Sequence, residues 1–298
     1  MDSASHSKRD ELFGRPRAEV EAALPEREPV RCPLCRRGPQ PFAVDFQGFQ
    51  LVRCPECVLE FLSPRPVFTQ LSEQVYAREY GDLSDAAGEL TPEKRASFAH
   101  QLDRLEAGLG RRGALLDVGC GAGAFLRFAR ERGWTAAGAD IMLSPAAQAS
   151  GARLWAGQLG AIDFGGAHFD AVRFHHVLEH TQDPLADLRR ARALLGSGGV
   201  LYVSVPNLGG VSPRLKSIQS LLGLKSHRWR HYAALHHLWY FTPATLGRLV
   251  EAAGFRMLDW ETPLPYRAHR PVWLATLYRW ILEKPRWGSI LDLYAQAA

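Results

Sequence analysis

The amino-acid sequence predicts an α/β fold: a mostly parallel seven-stranded sheet with helices on both faces, preceded by a small metal-binding module. Two observations support this fold class. From residue 114 onward, short apolar runs typical of buried strands alternate with runs of helical character, as in parallel sheets whose strands are joined by crossover helices. Ahead of them, four cysteines form two closely spaced pairs, which is typical of a zinc site.

The predicted strands and helices of the sheet follow one another in a regular order. Seven apolar runs bounded by turn-forming residues predict strands, namely residues 114–120, 135–140, 153–157, 169–176, 199–205, 255–261 and 290–297. Helices are predicted for residues 122–132 and 144–150. Two more begin at Asp183-Pro184 and Thr242-Pro243, because each pair supplies an N-cap and a proline suited to the first helical turn. Gly254 ends the last of these helices.

Composition divides the chain into four segments. Residues 1–28 are charged and rich in alanine and proline without a sustained period, so we expect a flexible tail with room for a short helix. Residues 29–66 hold the cysteine pairs, and residues 67–106 are predicted to be a helical linker or cap. The large α/β domain covers residues 107–298 and contains a long insertion at residues 207–240.

Charge and hydropathy limit the location and partners of the chain. Its formal net charge of +5 is compatible with anionic partners, although a solvated arginine-rich surface explains it as well. The most apolar late stretch, residues 272–282, is too short to span a membrane and contains Arg279. The first residues lack the apolar core of a signal peptide, so we expect a cytoplasmic protein without a membrane span.

The cysteine pairs predict a structural zinc site. Two C-x-x-C sequences with 18 residues between them supply four thiolates, a closed tetrahedral set without an open position for substrate. Neither pair is followed by glycine, because Arg36 and Val58 stand there, and this departs from the usual tight turn. The fifth cysteine, Cys120, lies far away, and an odd number argues against a disulfide framework. The four predicted ligands are Cys32, Cys35, Cys54 and Cys57.

A glycine-rich turn after the first strand of the predicted sheet is the strongest binding signal. Gly119, Gly121 and Gly123 let the backbone turn tightly and approach a ligand, and a helix N-terminus with free N–H groups follows. Asp140 ends the next strand, 21 residues after Gly119, where a carboxylate can accept both hydroxyls of a ribose. The alternative role of Asp140 is ordinary helix capping.

Two ligand classes suit this turn. A dinucleotide-binding dehydrogenase is one, because Gly119, Gly121 and Ala124 satisfy the relaxed G-x-G-x-x-A pattern. Asp117 favours a different ligand, since its carboxylate lies two residues before the first glycine, where it can meet an amino group.

From residue 114 to about residue 256 the sequence resembles class I S-adenosylmethionine-dependent methyltransferases, which have a Rossmann-like fold. Five blocks carry the resemblance in the family's order: LLDVGCGAGAFL, GAD, FDAVRFHHVLEHTQDP, GGVLYVSVPN and HHLWYFTPATLGRLVEAAGF. The preceding blocks, CPLC, CPECVLEFLSPRP and VYAREY, resemble a bacterial subgroup with a zinc ribbon ahead of this domain. Many members of that subgroup belong to small-molecule, sugar or surface-glycan pathways. The resemblance covers residues 30–298 and makes residues 29–66 the zinc ribbon.

The resemblance implies roles for individual residues. The glycine-rich turn would line the methionine part of the cofactor, Asp117 would hold its amino group, and Asp140 would bind its ribose. Gln158 and Leu159 would flank the adenine, and the end of the fourth strand would face the transferred methyl group. The implied cofactor-binding residues are Asp117, Gly119, Gly121, Gly123, Asp140, Gln158, Leu159 and His175.

The run HHVLEH at residues 175–180 allows several interpretations. One histidine could take the proton of an acceptor hydroxyl, or His176, Glu179 and His180 could hold a divalent ion that lowers the hydroxyl pKa. In ubiquinone-pathway O-methyltransferases, which this block resembles, an acidic residue stands at the position of His176 and a metal role goes with it. A structural role, in which Glu179 and His180 cap the next helix, is equally compatible. The H-x-x-E-H pattern also occurs in zinc proteases, but within a helix.

Three histidines are therefore candidate catalytic residues. His176 is preferred, because the end of the fourth strand points at the cofactor methyl in this fold. His180 lies in the same run, and His237 belongs to the block HHLWYFT.

The insertion at residues 207–240 is predicted to form a substrate lid, since the family builds its lid at this position. Its interleaved basic and aromatic side chains suit a sugar, a phosphate or a stacked base. An amphipathic surface helix with Leu221, Leu222 and Leu224 buried is compatible with the same sequence.

These features favour a methyltransferase that acts on a hydroxyl of a small molecule or glycan intermediate, and an anionic acceptor is compatible with the lid. One alternative is an RNA methyltransferase whose zinc ribbon aids RNA binding. The ribbon lacks a dense Lys/Arg run, however, so we do not expect a nucleic-acid partner. A third interpretation is a non-catalytic protein that only binds the cofactor. The sequence leaves the acceptor and the oligomeric state open.

Overall fold

The computed structural model describes residues 16–77, 88–263 and 286–298. Within them the backbone forms one seven-stranded, one four-stranded and one two-stranded sheet. No helix in these ranges is long and apolar enough to cross a lipid bilayer. The apolar stretch at residues 272–282 lies outside the described residues.

The N-terminal region contains five short strands: β1 (Arg27–Glu28), β2 (Gln40–Val44), β3 (Gln50–Arg53), β4 (Glu60–Leu62) and β5 (Arg65–Pro66). Strands β2, β3 and β4 pair antiparallel, and β1 pairs with β5. Helix α1 (Arg17–Ala23) precedes them and buries Val20, and Leu24 is buried after it. Within residues 1–28, for which we predicted a flexible tail with room for a short helix, apolar contacts hold helix α1 and Leu24. Residues 1–15 lie outside the described residues.

Seven of the remaining strands form the large sheet. The eight remaining strands are β6 (Ala114–Val118), β7 (Thr135–Asp140), β8 (Arg153–Ala156), β9 (Phe169–His175), β10 (Leu195–Pro206), β11 (Trp239–Tyr240), β12 (Phe255–Glu261) and β13 (Ile290–Ala297). All but β11 join in the order β12-β13-β10-β9-β6-β7-β8. Strands from β10 to β8 pair in parallel, whereas β13 is antiparallel to β10 and β12. The predicted Rossmann-like, mostly parallel seven-stranded sheet is confirmed.

Helices cover both faces of this sheet. The helices after α1 are α2 (Phe68–Leu71), α3 (Pro92–Leu109), α4 (Ala124–Glu131), α5 (Pro145–Gln148), α6 (Pro184–Leu194), α7 (Val211–Leu221) and α8 (Pro243–Ala252), and those that cover the sheet are α3, α4, α6 and α8. Helices α6 and α8 share one hydrophobic cluster with the sheet, while α3 and α4 share another. The predicted N-caps are present: the Asp183 side chain accepts from the N–H groups of Leu185 and Ala186, and Thr242 forms a capping box with Thr245.

The linker predicted for residues 67–106 is helical where the structure describes it. Helix α2 continues into a π-helical turn, Ser72–Tyr76, and α3 follows a Thr91 cap. Helix α3 runs past the predicted boundary to Leu109, where Gly110 ends it in the left-handed conformation. Leu102 and Leu105 of α3 are fully buried in the cluster on one face of the sheet, so this helix belongs to the large domain.

The insertion at residues 207–240 joins residues 29–66, the predicted zinc ribbon, to the large domain. It begins with α7 and ends with β11, which pairs antiparallel with β4 and completes the four-stranded sheet. Trp229 and Tyr232 pack against Phe42 of the ribbon, and the Tyr232 hydroxyl donates to Glu60 at 2.6 Å. Ribbon, insertion and large sheet therefore share one hydrophobic cluster.

Helix α7 and the residues after it expose the leucines that were predicted to be buried. Leu221, Leu222 and Leu224 are 69%, 64% and 70% exposed, whereas Ser220 is fully buried. The Ser220 carbonyl accepts from Arg228 Nε at 2.7 Å, and its hydroxyl accepts from the Trp229 N–H at 3.0 Å. The prediction of buried leucines is wrong, because polar contacts with the following loop hold this helix.

Candidate active site

A cavity of about 940 Å³ lies at the carboxyl ends of the central parallel strands. The turns after β6, β7, β8 and β9 supply much of its wall, as is usual for ligand sites in open α/β sheets. Residues from the linker and the insertion complete the wall. Nine predicted site residues line it: Gly119, Gly121, Asp140, Gln158, Leu159, His175, His176, His180 and His237.

The turn after β6 brings backbone rather than side chains against the cavity. Gly119 has a φ of 72°, and a Cβ there would lie 2.2 Å from Val177 Cγ2, so a side chain does not fit. The Gly119 N–H donates to the Ala139 carbonyl at 2.7 Å, which ties the turn to the neighbouring strand. This turn therefore leaves room for a ligand at the strand ends.

The Asp140 carboxylate is fixed at the end of β7. Its Oδ2 accepts from the Gly121 N–H at 2.9 Å, and its Oδ1 accepts from the Met142 N–H at 3.2 Å. Burial raises the pKa of Asp140, although these backbone donors oppose the shift. Each carboxylate oxygen keeps a further lone pair, so the group can also accept hydroxyls from a ligand. The ribose role of Asp140 stays a prediction that this geometry is compatible with.

Two predicted cofactor-binding residues do not line the cavity. Asp117 is buried within the sheet, where Arg173 Nη1 donates to its Oδ1 at 2.5 Å. Gly123 is the N-cap of α4 with a φ of 71°, and a Cβ there would lie 3.0 Å from Ala147 Cα. Asp117 thus neutralises a buried arginine, and Gly123 permits close backbone packing. Neither residue lines the cavity in the structure, and the ligand contacts predicted for them stay a prediction.

His176 and Glu179 form a hydrogen-bonded pair at the end of β9. The Nδ1 atom of His176 lies 3.3 Å from Oε1 of Glu179, and the His176 N–H donates to the Ser204 carbonyl at 2.9 Å. Burial disfavours a charged imidazole, but the hydrogen bond and charge of Glu179 outweigh it and raise the pKa of His176. Because a carboxylate accepts, Nδ1 carries the proton and Nε2 offers the lone pair.

His180 and His237 are neutral imidazoles next to this pair. Nδ1 of His180 lies 2.7 Å from the His236 carbonyl oxygen, which can only accept, so Nε2 has the lone pair. Burial lowers the pKa of His180. Burial, together with the nearby His180, lowers the pKa of His237 to about 3. Both side chains can therefore accept a hydrogen bond or bind a cation at neutral pH.

Glu179 is the charged centre of the cluster. Burial alone would raise its pKa, but the hydrogen bond with His176 and the neighbouring histidines lower the pKa of Glu179 to about 2. Its second oxygen, Oε2, is buried and has no hydrogen-bond partner among the residues that the structure describes. A buried carboxylate with an unpartnered oxygen beside two imidazoles is a donor set that suits divalent cations.

The candidate metal ligands differ from the predicted set at one position. Donor atoms of Glu179, His180 and His237 all lie within 4.8 Å of one another. The predicted set had His176 where the structure places His237. The insertion brings His237 to the loop after β9, next to Glu179 and His180. His176 contacts Glu179 through a hydrogen bond and is not part of this group of candidate ligands. Sequence spacing gave no signal for this long-range contact.

The charged side chains in the described part of the cavity wall are acidic. No lysine or arginine in the described ranges lines the cavity, whereas four carboxylates do: Asp140, Glu179, Asp183 and Asp187. The basic side chains of the insertion were expected to meet the acceptor, but Arg214 and Lys216 lie on the exposed surface of α7. The predicted basic contacts to an anionic acceptor therefore gain no support from the described residues and stay a prediction.

The sequence did not indicate several residues of the cavity wall. Ile141 and Met142 directly follow β7, and the general position of ligand sites at strand ends could have identified them. Phe68 and Tyr76 come from the linker, and neither was predicted as a site residue, although Tyr76 stands in the block VYAREY. The Tyr76 hydroxyl lies 3.3 Å from the carbonyl oxygen of His236, a contact that only the folded chain creates.

The four paired cysteines converge in space. All four sulfur atoms lie within 4.8 Å of one another, and Sγ of Cys32 is 3.4 Å from Sγ of Cys57. Burial raises the pKa of Cys54, but the backbone N–H groups of Cys57 and Glu56 outweigh burial and lower it. Convergent sulfurs with amide donors nearby fit a tetrahedral zinc ion.

The turns at both cysteine pairs form without glycine. Arg36 and Val58 adopt φ angles of 56° and 57°, in the left-handed region. Their N–H groups donate to the carbonyl oxygens of Cys32 at 2.9 Å and Cys54 at 3.1 Å. A left-handed backbone is unfavourable for these residues, most of all for the β-branched Val58.

Replacing Val58 by glycine should raise the free energy of unfolding by about 1 kcal/mol, because glycine adopts this φ without a steric penalty. The valine side chain is 55% exposed, so little apolar burial is lost. Denaturant titration measures the change. Val44→Gly is the matched control, since Val44 is 51% exposed but lies in strand β2, where glycine should destabilise. A Val58→Gly protein less stable than the parent would contradict the argument.

A family model for a methyltransferase domain matches residues 92–260, which is more than half of the chain. The chain belongs to this methyltransferase family. The resemblance to class I S-adenosylmethionine-dependent methyltransferases is thereby confirmed, and the dehydrogenase alternative finds no support.

Curated relatives of the methyltransferase domain share a name. The ubiquinone biosynthesis O-methyltransferase of Dinoroseobacter shibae is 31% identical over 161 residues, which cover 49% of this chain and 60% of the relative. The protein of the same name from Aeromonas salmonicida is 28% identical over 155 residues, which cover 49% of this chain and 63% of the relative. The match thus spans about three fifths of the length of these relatives.

Solved structures show the same fold. The Burkholderia thailandensis 1,6-didemethyltoxoflavin-N1-methyltransferase, with bound 1,6-didemethyltoxoflavin and S-adenosylhomocysteine, has a TM-score of 0.55 at 20% identity and covers 87% of this chain and 99% of its own. Magnesium protoporphyrin IX methyltransferase from Synechocystis PCC 6803, with bound S-adenosylhomocysteine, has a TM-score of 0.50 at 15% identity. The similarity covers 77% of this chain and 97% of that protein. At sequence identities of 20% and 15%, these two similarities show a shared fold and nothing about the substrate.

Proposed function

We propose that the chain is an S-adenosylmethionine-dependent methyltransferase that acts on a hydroxyl group of a small molecule. One observation carries the proposal: the glycine turn and Asp140 line the same cavity as His176 with its Glu179 partner. A cofactor site and a base candidate are thus combined in one chamber. The curated relatives named as ubiquinone biosynthesis O-methyltransferases support transfer to oxygen.

The cavity wall offers groups suited to each part of the cofactor. Asp140 can accept the ribose hydroxyls, and Gln158 and Leu159 after β8 can flank the adenine. When bound, S-adenosylmethionine supplies an electrophilic methyl group on a positively charged sulfonium. Burial and the nearby Arg173 hold the pKa of His175 well below its usual value, so His175 is neutral and does not repel this charge.

His176 is the proposed general base. Its Nε2 bears the lone pair because Nδ1 is engaged with Glu179. The proton of the acceptor hydroxyl would pass to Nε2, while the Glu179 carboxylate orients the ring and stabilises the imidazolium that forms. His176 lines the cavity at the end of a strand, the position from which strand-end residues meet ligands in this fold class.

We further propose that Glu179, His180 and His237 can hold a divalent cation in the acceptor part of the cavity. Such an ion lowers the pKa of a hydroxyl that it binds. The unpartnered Oε2 atom of Glu179 and the two neutral imidazoles support this role. With or without a bound cation, the proton of the acceptor hydroxyl would pass to His176.

The proposed acceptor is a small molecule without negative charge at the reacting end. Four carboxylates line the cavity and no lysine or arginine of the described chain does, so an anionic acceptor would meet repulsion. A glycan intermediate satisfies this condition if it carries no phosphate near the reacting hydroxyl. No observation favours an RNA acceptor, since phosphates require cations. The convergence of three histidines on one buried carboxylate favours an enzyme over a non-catalytic binding protein.

The four paired cysteines are proposed to hold one structural zinc ion, and the chain is proposed to work in the reducing cytoplasm. Their closed set of four sulfurs leaves no position for a substrate. Two C-x-x-C pairs with an odd fifth cysteine are typical of metal binding rather than of a disulfide framework, and this favours a reducing compartment.

Two measurements test the proposed activity. Calorimetry should show binding of S-adenosylhomocysteine and none of NAD. Incubation of the protein with cell extract and isotopically labelled S-adenosylmethionine, followed by mass spectrometry, should reveal a labelled small molecule with an O-methyl group. Tight NAD binding without S-adenosylhomocysteine binding would overturn the proposal.

Asp140→Ala should weaken S-adenosylhomocysteine binding by about 10-fold to 100-fold, because a hydrogen bond to a charged group contributes about 1.5–3 kcal/mol. Calorimetry gives the dissociation constants. Glu251→Ala is the control, since Glu251 is an exposed carboxylate on α8 away from the cavity. Equal affinity of Asp140→Ala and the parent protein would remove Asp140 from the ribose site.

A further inference from the structure

Helix α7 and the residues after it form an exposed apolar stripe. Four residues at helical positions i, i+4, i+7 and i+11 share one face: Val211, Leu215, Ile218 and Leu222. With Leu221 and Leu224 they make up six of the ten exposed large apolar side chains in the described residues, with exposures from 44% to 70%. The apolar exposure is thus concentrated in residues 211–224 rather than scattered, which marks an interaction surface.

The side of α7 that packs on the protein is polar. Ser217 Oγ lies 2.8 Å from His231 Nε2, and the fully buried Ser220 holds Arg228 and Trp229 through its carbonyl and hydroxyl oxygens. The helix therefore buries hydroxyl groups and exposes leucines. This is the reverse of a helix that covers a soluble core, and it indicates that the apolar face meets another apolar medium.

The same segment, residues 211–230, is strongly cationic. It contains five basic residues, Arg214, Lys216, Lys225, Arg228 and Arg230, and no acidic residue. Since the formal net charge of the whole chain is +5, this segment accounts for all of it. None of the five basic residues lines the cavity, so the function proposed above does not use them.

We propose that residues 211–230, the α7 surface, dock onto an anionic lipid bilayer with α7 in the plane of the headgroups. An apolar stripe beside lysine and arginine is the pattern of interfacial helices, and the cations match the negative headgroups. Trp287 extends the surface: it is 50% exposed, and its carbonyl accepts from the Val211 N–H at 3.0 Å. Tryptophan is favoured at the level of the headgroups.

A second copy of the chain fits this surface less well. A symmetric dimer places the same surface of both copies face to face, so five cations would oppose five cations without an acidic residue between them. An anionic bilayer satisfies the apolar stripe and the charges together. The insertion that carries α7 also places His236 and His237 in the cavity wall, so docking holds that wall near the bilayer.

Vesicle co-sedimentation of the full chain tests the proposal. We compare phosphatidylcholine vesicles with vesicles that also contain phosphatidylglycerol. The partition coefficient should be at least about tenfold higher on the anionic vesicles and should fall as salt rises from about 0.1 M to 0.5 M, because screening weakens each lysine or arginine contact. Equal partitioning on both vesicle types, or no binding to either at low salt, would overturn the proposal.

A triple serine variant tests the apolar stripe. Its changed positions are exposed, so folding should be intact, and circular dichroism checks this. The variant is Leu215→Ser, Ile218→Ser and Leu222→Ser, and it should lose binding to anionic vesicles by about 100-fold or more, because three inserted side chains are lost. Binding equal to the parent would overturn the proposal. So would self-association of the parent that this variant abolishes, since a second copy would then be the occupant.

Two charge variants with the same net charge test the cations. One removes basic residues of the α7 surface: Arg214→Gln, Lys216→Gln and Lys225→Gln. The control removes exposed basic residues elsewhere: Arg31→Gln, Arg189→Gln and Arg248→Gln. The first should bind anionic vesicles at least about tenfold more weakly than the parent, and the control should bind like the parent. Equal losses in the two variants would mean that only net charge matters and would overturn the assignment to this surface.

Discussion

Replacing His176 by alanine should lower the turnover number by about 10²-fold to 10⁴-fold, the usual contribution of a general base. Affinity for S-adenosylhomocysteine should change little, because the residues that suit the ribose and adenine lie on other loops. Initial rates with labelled S-adenosylmethionine and the identified acceptor, together with calorimetry, measure both quantities. His168→Ala is the control, since His168 is exposed and lies away from the cavity.

His237→Ala separates the base from the cation ligand. If Glu179, His180 and His237 hold an ion, His237→Ala should lower the content of bound divalent metal and the activity together, and a chelator should inactivate the parent protein. His176→Ala should keep its metal. Full activity in His176→Ala would eliminate the proposed base. Full activity of His237→Ala, combined with resistance to chelator, would eliminate the cation.

Cys54→Ser should cost more than about 4 kcal/mol of unfolding free energy in the ribbon, since structural zinc in small modules contributes about 10–16 kcal/mol. Zinc content, measured by elemental analysis, should fall from about one per chain to near zero. Because β11 pairs with β4, the effect should reach the active-site wall. Hydrogen exchange should show faster exchange at the Leu62 N–H, which donates to the Leu238 carbonyl at 3.0 Å. The large sheet should stay folded on its own core.

Cys120→Ala is the matched control for the loss of one cysteine. Cys120 is buried near the glycine turn, far from the four paired sulfurs, so this variant should keep its zinc. The zinc assignment would fail if the metal-free parent protein remained folded while its four paired thiols reacted freely.

Local sequence signals were sufficient for the sheet and its helices. Strands predicted at residues 135–140, 255–261 and 290–297 have those boundaries in the structure, because apolar runs and the turn residues around them are local features. Asp183 and Thr242 were identifiable as caps for the same reason, since an N-cap acts on its own helix.

Contacts between distant segments were not predictable from a single sequence. Strand β11 has two residues, too few to show a period, and its partner β4 lies in another part of the chain. Arg173 lies between the apolar residues Val172 and Phe174 of β9, and only the folded sheet places it against Asp117. The leucines of α7 have the spacing of a buried face, yet the helix exposes them. Hydrophobic periodicity predicts which residues share one face of a helix, but it does not predict whether that face is covered.

The placement of β13 constrains the order in which the chain can finish folding during synthesis. Strand β13 lies between β10 and β12 and is their only link within the large sheet, although it is made after both. Until residues 290–297 leave the ribosome, β10 has an open edge beside the chamber that holds His176. An open strand edge invites pairing with other chains. A nascent chain, or a fragment limited to residues 92–260, is therefore exposed to aggregation at the edge of β10 that β13 covers in the finished protein.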